Sequence, residues 1–108
     1  MTMVSTSYTR GRAREYQVLQ KLRSEGWLCS RSAASHSAVD IFACKDGEVL
    51  LVQVKSGRAR VSSEERVELA RWAEASGARV EVWYFPRRNG MRKEIVSDGP
   101  KPKKHGDN

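Results

Sequence analysis

The sequence lacks a long apolar run, a cysteine pair at C-x-x-C spacing and any internal repeat. Without about 18 consecutive apolar residues, a membrane-spanning helix is not expected. Cys29 and Cys44 lie in separate predicted strands, where apolar neighbours favour small buried residues over a disulfide or a zinc site. Residues 1–9 are polar and rich in hydroxyl groups, unlike a secretory signal. We therefore expect an intracellular, cytoplasmic protein with reduced thiols and no membrane partner.

Acidic residues are also outnumbered in this chain. Its 108 residues contain 20 Lys and Arg against 13 Asp and Glu, which gives a formal net charge of +7. A chain of this length is expected to form one domain around a single core. A strongly positive field attracts polyanions, and nucleic acid is the commonest partner of a small basic protein. The same charge can also serve solubility alone, so both interpretations stay open at this point.

The apolar periodicity and turn residues predict an α/β protein with a mixed five-stranded sheet flanked by helices. The predicted helices cover residues 11–25 and 62–76, and the predicted strands cover residues 27–31, 38–44, 49–55, 80–85 and 91–96. Asp46-Gly47 is a hairpin signal, and Ser62 with Glu65 forms a capping box. The second helix is long enough to cross over between parallel strands.

The two ends of the chain have a different character from its middle. Residues 1–10 are predicted to be a loose N-terminal arm. Residues 98–108 are polar and basic without apolar content, which predicts a disordered tail. The single domain is therefore expected to span residues 11–97.

A carboxylate lies on the apolar face of the first predicted helix. Val18, Leu19 and Leu22 form that face, and Glu15 falls on it three places earlier. A buried carboxylate is costly unless it has a partner or a function. Glu15 is therefore a candidate site residue.

Three further polar side chains lie where predicted strands begin or end. Gln53 and Lys55 share one strand face, which becomes polar only at its C-terminal end. Asp40 precedes an apolar run, and antiparallel pairing across the hairpin brings it close to residue 53. Alone, Asp40 would suit a turn and Lys55 a solvated strand end. Their joint occurrence with Glu15 favours a functional site.

These residue types suit metal-assisted cleavage of a phosphodiester. Mg²⁺ prefers oxygen ligands, usually one or two carboxylates with water and substrate phosphate. Asp40 would supply the main charge, and the Gln53 side chain and the Val54 carbonyl would add neutral oxygens. Glu15 would contact the cation directly or through water. Lys55 would polarise the attacking water and offset phosphate charge. We expect Mn²⁺ to substitute for Mg²⁺.

The chain resembles a known family on four motifs that occur in order. They are Gly11-x-x-x-Glu15, Arg31-Ser32-Ala33-Ala34-Ser35, Val39-Asp40-Ile41 and Val52-Gln53-Val54-Lys55-Ser56. With them, residues 8–96 resemble the archaeal-type Holliday junction resolvases of the PD-(D/E)XK nuclease superfamily. The resemblance implies a restriction-endonuclease-like core and a Mg²⁺-dependent, structure-selective endonuclease. It further implies a homodimer that resolves four-way junctions by paired symmetric nicks.

The resemblance also implies roles for individual residues. Glu15 would be the acidic residue of the first helix, Asp40 the main metal-binding aspartate and Lys55 the catalytic lysine. Ser35 would be a loop serine near the scissile phosphate. The family usually carries Glu where this chain has Gln53. The lost negative charge predicts weaker metal affinity, and Gln53→Glu is expected to lower the metal requirement.

Arginines surround the predicted site and are expected to contact DNA phosphates without reading sequence. They are Arg10, Arg12, Arg14, Arg31, Arg58 and Arg60. Arg31 is the strongest candidate, because the resemblance includes it. Trp83 and Phe85 alternate with the apolar residues of their strand, which favours core or dimer packing over stacking on bases.

Two other functions fit the same residues. One is a related PD-(D/E)XK nuclease that cuts other branched or damaged duplex DNA. The other is a DNA-binding relative that has lost catalysis through Gln53. In all three interpretations the partner is double-stranded DNA that is branched or, in the second, damaged.

Overall fold

The computed structural model describes residues 6–32, 37–88 and 90–99, with the side chains of the first helix described from residue 11. Its elements are α1 (Thr6–Ser24), β1 (Leu28–Arg31), β2 (Ile41–Lys45), β3 (Glu48–Ser56), α2 (Ser63–Ser76), β4 (Arg79–Phe85) and β5 (Arg92–Asp98). The predicted order of helix, three strands, helix and two strands is confirmed. Among the described residues, no helix is long and apolar enough to cross a membrane.

The described strands form one mixed sheet in the order β1-β2-β3-β4-β5. Strands β3 and β4 run parallel, and the other neighbouring pairs are antiparallel. A parallel pair needs a long crossover, which α2 supplies between β3 and β4. The predicted mixed α/β sheet is therefore confirmed.

Apolar side chains form a separate cluster on each face of the sheet. Val18, Leu19 and Leu22 of α1 pack on the face that carries Val52 and Trp83. On the opposite face, Leu69 of α2 packs against Leu51, Val80 and Val82. Strand β3 contributes alternate residues to both clusters, as expected of a strand that is buried on both sides. The side chains of Gln53 and Lys55 share the face of Leu51, toward α2.

The turns and caps follow the local sequence. Asp46 and Gly47 both have positive φ, 53° and 80°, as a two-residue hairpin of the Asp-Gly kind requires. Ser62 and Glu65 form the predicted capping box, and α2 ends at Gly77 in the left-handed conformation.

Three predicted boundaries were wrong by more than one residue. Helix α1 begins at Thr6, so residues 6–10 do not form a loose arm; the isolated Gly11 costs a helix only about 1 kcal/mol and does not stop it. Strand β2 begins at Ile41, because Asp40 uses its side chain as well as its backbone to bind β3. Strand β5 continues to Asp98, beyond the expected end of the apolar pattern. Residues 1–5 and 100–108 lie outside the described residues.

The structure also decides two points about packing. Trp83 is 1% exposed within the single chain, and its indole N–H donates to the buried carboxylate of Glu81 at 2.8 Å. Trp83 is thus a core residue. Cys29 and Cys44 are free thiols. The expectation that both are buried was wrong, since Cys29 is half-buried and Cys44 is exposed.

Candidate active site

Asp40 is held against the C-terminal half of β3 by two hydrogen bonds. Its backbone N–H donates to the Val52 carbonyl at 2.9 Å, and its carboxylate Oδ2 accepts from the Val54 N–H at 2.7 Å. The antiparallel register continues this pairing, with Ile41 opposite Val52. The predicted approach of Asp40 to Gln53 across the hairpin is therefore correct.

The surroundings of Asp40 make its ionised form unfavourable. Burial raises the pKa of the Asp40 carboxyl to about 6, and the nearby charges of Glu15 and Glu65 act in the same direction. The hydrogen bond from Val54 and the charge of Lys55 oppose this rise. A carboxylate that is poorly solvated and close to other acidic groups is stabilised by a bound cation.

Lys55 is bound to a residue that the sequence singled out only as a helix cap. Its Nζ donates to Glu65 Oε2 at 2.9 Å. Burial disfavours the charged form of Glu65, but hydrogen bonds from Lys55 and Ser62 lower the pKa of this carboxyl overall. Glu65 is the site residue that sequence reasoning missed. The sequence signal for Glu65 was its position in the first turn of α2, the helix that follows β3, because that helix begins beside the end of the strand.

Gln53 is buried, with 4% of its surface exposed, and its amide has an asymmetric environment. Nε2 donates to Glu65 Oε2 at 3.2 Å. Oε1 is buried without a hydrogen-bond partner. Leaving such an oxygen unpaired costs about 1–3 kcal/mol. An amide oxygen is also a ligand that Mg²⁺ accepts, so this unpaired atom fits a cation site.

The donor set fits a cation that keeps much of its water. Within the described parts of the chain, no three side chains of the His, Cys, Asp or Glu type converge as a metal cluster. Mg²⁺ commonly binds through one or two carboxylates, with water and phosphate completing its shell. Asp40 with the Gln53 oxygen therefore matches the sparse ligation of Mg²⁺ better than a closed protein cage.

Glu15 lies at the edge of this site and has a direct partner. Its Oε1 is 3.2 Å from Arg31 Nη1, and the Arg31 guanidinium also lies over the Tyr16 ring at 5.4 Å. Burial lowers the pKa of Arg31, but the hydrogen bond and charge of Glu15, together with Tyr16, raise it overall. Because the charge of Glu15 also acts on Asp40, these two predicted site residues share one neighbourhood.

The remaining predicted basic residues fall in several places. Arg14 donates to Gln17 and lies over the Phe85 ring, and Arg12 is exposed. Ser35 and the side chain of Arg10 lie outside the described residues, so their predicted roles stay predictions.

Arg58 and Arg60 line a surface depression together with Arg92 and Tyr84, called the basic depression below. Arg92 lies over the Tyr84 ring at 4.4 Å and is a basic residue that the sequence analysis did not single out. Tyr84 is the register partner of Lys55 across the parallel β3–β4 pair. The basic depression therefore adjoins the candidate site.

Comparison with known proteins agrees with this arrangement. The family model described as archaeal Holliday junction resolvase (Hjc) matches residues 6–94. The crystal structure of Hjc from Archaeoglobus fulgidus, a Holliday junction resolvase from an archaeal hyperthermophile, is similar with a TM-score of 0.70 and 26% identity. That match covers 81% of this chain and 73% of the Archaeoglobus chain. A search of curated proteins finds no match.

The fold is that of a small α/β nuclease of the PD-(D/E)XK superfamily. Within that class, the chain belongs to the archaeal Holliday junction resolvase (Hjc) family. It is a Holliday junction resolvase, an endonuclease that acts on DNA. The resemblance seen in the four sequence motifs is confirmed.

Proposed function

We propose that this resolvase depends on Mg²⁺, which Mn²⁺ replaces, and that Asp40 and Gln53 hold the cation with the Val54 carbonyl. Glu15 acts on it directly or through water. Two observations carry the proposal: the Asp40 carboxylate is buried and poorly solvated, and it is hydrogen-bonded to the part of β3 that also carries the unpaired, buried oxygen of Gln53. The bound cation would supply Lewis-acid stabilisation of phosphate charge and easier ionisation of water.

Lys55 is the proposed catalytic lysine. Its ammonium group is held at 2.9 Å from Glu65, on the same strand face as Gln53. There it can orient the attacking water and offset the charge that develops on the phosphate. Ser35 is proposed to lie near the scissile phosphate, from the family resemblance.

The proposed substrate is a four-way junction, cut by paired symmetric nicks. A homodimer with two such sites accounts for the pairing, since each site cuts one strand. Arginines would hold the duplex arms by their phosphates, with the basic depression next to the site. We place this activity in the cytoplasm, because DNA junctions occur there and its reducing conditions keep the free thiols of Cys29 and Cys44 reduced.

The test is a cleavage assay on labelled DNA with Mg²⁺, Mn²⁺ or a chelator. We expect paired symmetric nicks on a four-way junction, and none on linear duplex or single strands. Equal cutting of linear or otherwise branched duplexes would instead favour a related nuclease. Retarded junctions that stay uncut in both metals would favour a DNA-binding relative without catalysis.

Site variants test the residue assignment in the same assay. Asp40→Ala and Lys55→Ala should lower cleavage by about 100-fold or more, in the range of lost charge stabilisation at an active site, while junction binding in chelator persists. Lys21→Ala is the matched control, because Lys21 is an exposed lysine paired with Glu25 on α1. Loss of binding in both site variants, or normal cleavage by either, would contradict the assignment.

A further inference from the structure

One carboxylate joins the start of α2 to both polar side chains of β3. Glu65 Oε2 accepts from Gln53 Nε2 at 3.2 Å and from Lys55 Nζ at 2.9 Å. Glu65 Oε1 accepts from the Ser62 N–H at 2.9 Å, within the capping box. The helix cap therefore fixes Glu65 in place next to Gln53 and Lys55.

This contact decides which way the Gln53 amide points. A carboxylate can only accept hydrogen bonds, so the NH₂ group of Gln53 must face Glu65. The carbonyl oxygen of the same amide is then turned away from Glu65. That oxygen is buried and has no hydrogen-bond partner. A buried amide oxygen without a partner is a position at which a cation can bind.

Glu65 also contributes charge to the neighbourhood of Asp40, on which it acts electrostatically. We infer that Glu65 is a positioning residue of the metal site: it supplies the negative charge that Gln53 lacks and, by binding the Gln53 NH₂ group, orients the Gln53 oxygen toward the cation. This inference rests on the proposed metal dependence and names a residue beyond the family motifs. Gln53 and Glu65 then form a matched pair, one neutral and one charged.

The contact between Gln53 and Glu65 changes the effect on metal binding that is expected of Gln53→Glu. That substitution alone would set two carboxylates in contact where an amide now donates to one, and like charges at this distance disfavour joint ionisation. The lower metal requirement expected from the sequence should therefore not follow from Gln53→Glu alone. Exchange of the two residues, Gln53→Glu with Glu65→Gln, restores one charge and one amide.

The competing role for Glu65 is that of a helix cap and lysine partner only. Two variants separate the roles. Glu65→Gln removes the charge but keeps the cap, since glutamine also serves in a capping box. Ser62→Ala weakens the cap and keeps the charge. Glu64→Gln is the matched control, as Glu64 is an exposed acid in the same helical turn.

The experiment is titration of the full chain with Mn²⁺ alone, by calorimetry, without DNA. We expect Glu65→Gln to weaken Mn²⁺ binding by about 10-fold or more, a loss typical of residues that support a metal site. Gln53→Glu should bind no better than the parent chain, and the exchanged double variant should recover most of the loss. Glu64→Gln should bind as the parent chain does, and so should Ser62→Ala, because alanine keeps the backbone N–H that donates to Glu65 Oε1.

Two results would overturn the inference. One is parent-like Mn²⁺ binding by Glu65→Gln, and the other is a double variant that binds no better than Glu65→Gln. Asp40→Asn distinguishes this failure from that of the proposed function. If Asp40→Asn loses Mn²⁺ and Glu65→Gln does not, only the role of Glu65 fails. If Asp40→Asn binds normally, the metal site itself is misplaced and both proposals fail.

Discussion

A single carboxylate, Asp40, carries much of the chemistry at the residue scale. Two hydrogen bonds to β3 fix its position, while burial makes its charge expensive. The ionised Asp40 costs the metal-free protein stability, because its charge is poorly solvated. The same poor solvation favours a cation beside it, so function and stability make opposite demands on this residue.

Asp40→Asn should stabilise the metal-free protein at pH 8. Burial raises the pKa of Asp40 from 3.8 to about 6, so the folded state favours the protonated acid. The stabilising contribution of Asp40 is complete below about pH 4 and is lost as the pH rises through about 6. The neutral Asn avoids that loss and should gain about 1–3 kcal/mol in free energy of unfolding at pH 8.

Urea unfolding in chelator from pH 4 to pH 8 measures this difference. The gap between Asp40→Asn and the parent chain should become small at pH 4, where Asp40 is protonated in the folded state. Asp98→Asn is the control, because the Asp98 side chain is 75% exposed. A gap that does not vary with pH, or a less stable Asp40→Asn at pH 8, would contradict the burial argument.

At the scale of elements, the start of α2 combines a structural and a functional task. Its capping box satisfies backbone N–H groups and at the same time holds Glu65 beside β3. The crossover that makes β3 and β4 parallel thus also sets the position of a site residue.

Ser62→Ala should lower the free energy of unfolding by about 1 kcal/mol, the usual cost of a lost N-cap. The Ser62 hydroxyl accepts from the Glu65 N–H at 3.0 Å, and alanine cannot replace it. Ser63→Ala, one residue into the helix, should change stability far less. Urea unfolding of both variants measures these changes. Equal losses in free energy of unfolding would show that the Ser62 cap contributes nothing specific to the stability of α2.

Two glycines with open space around them should respond in opposite ways to alanine. Neither Gly47 nor Gly11 has an atom within 4 Å of an added Cβ, but Gly47 has φ of +80°. Gly47→Ala should destabilise by about 1 kcal/mol, since the left-handed region penalises a Cβ. Gly11→Ala, inside α1, should stabilise by up to about 1 kcal/mol. Thermal unfolding of both chains tests this, and a shared sign would refute it.

At the scale of the molecule, part of the net charge of +7 lies on one surface, the basic depression. Arg58, Arg60 and Arg92 surround Tyr84, which pairs with Lys55 at the end of β3. A basic surface next to the site can hold a phosphate backbone without reading bases.

Arg58→Ala and Arg60→Ala should weaken binding to junctions of any sequence alike. Each should also reduce the slope of log affinity against log salt by about 1, the share of one phosphate contact. Arg71→Ala is the control, since the exposed Arg71 pairs with Glu68 on α2. Junction retardation at several salt concentrations measures the slopes. An unchanged slope for both variants, or an equal change for Arg71→Ala, would place the DNA elsewhere.

The sequence alone determined the elements, the mixed sheet and most of the candidate site. These follow from local signals: periods of 2 and 3.6 residues, the Asp46-Gly47 turn and the Ser62–Glu65 cap act over a few residues. Pairing across one tight hairpin was also predictable, which is why Asp40 was correctly expected near Gln53. The start of α1 was not, because helix ends depend on weak local preferences.

Only the tertiary structure decided the contacts between elements distant in the chain. It paired Arg31 with Glu15, buried Trp83 in the core and brought Glu65 to Gln53 and Lys55. The contacts of Arg31 and Glu65 have no sequence period, since each depends on how a helix is placed on the sheet. The alternation of Trp83 indicated packing but left the core and a dimer interface both open. Gln53 looked like a lost charge in the sequence. In the fold, Glu65 lies against it, because the crossover helix α2 begins beside the C-terminal end of β3.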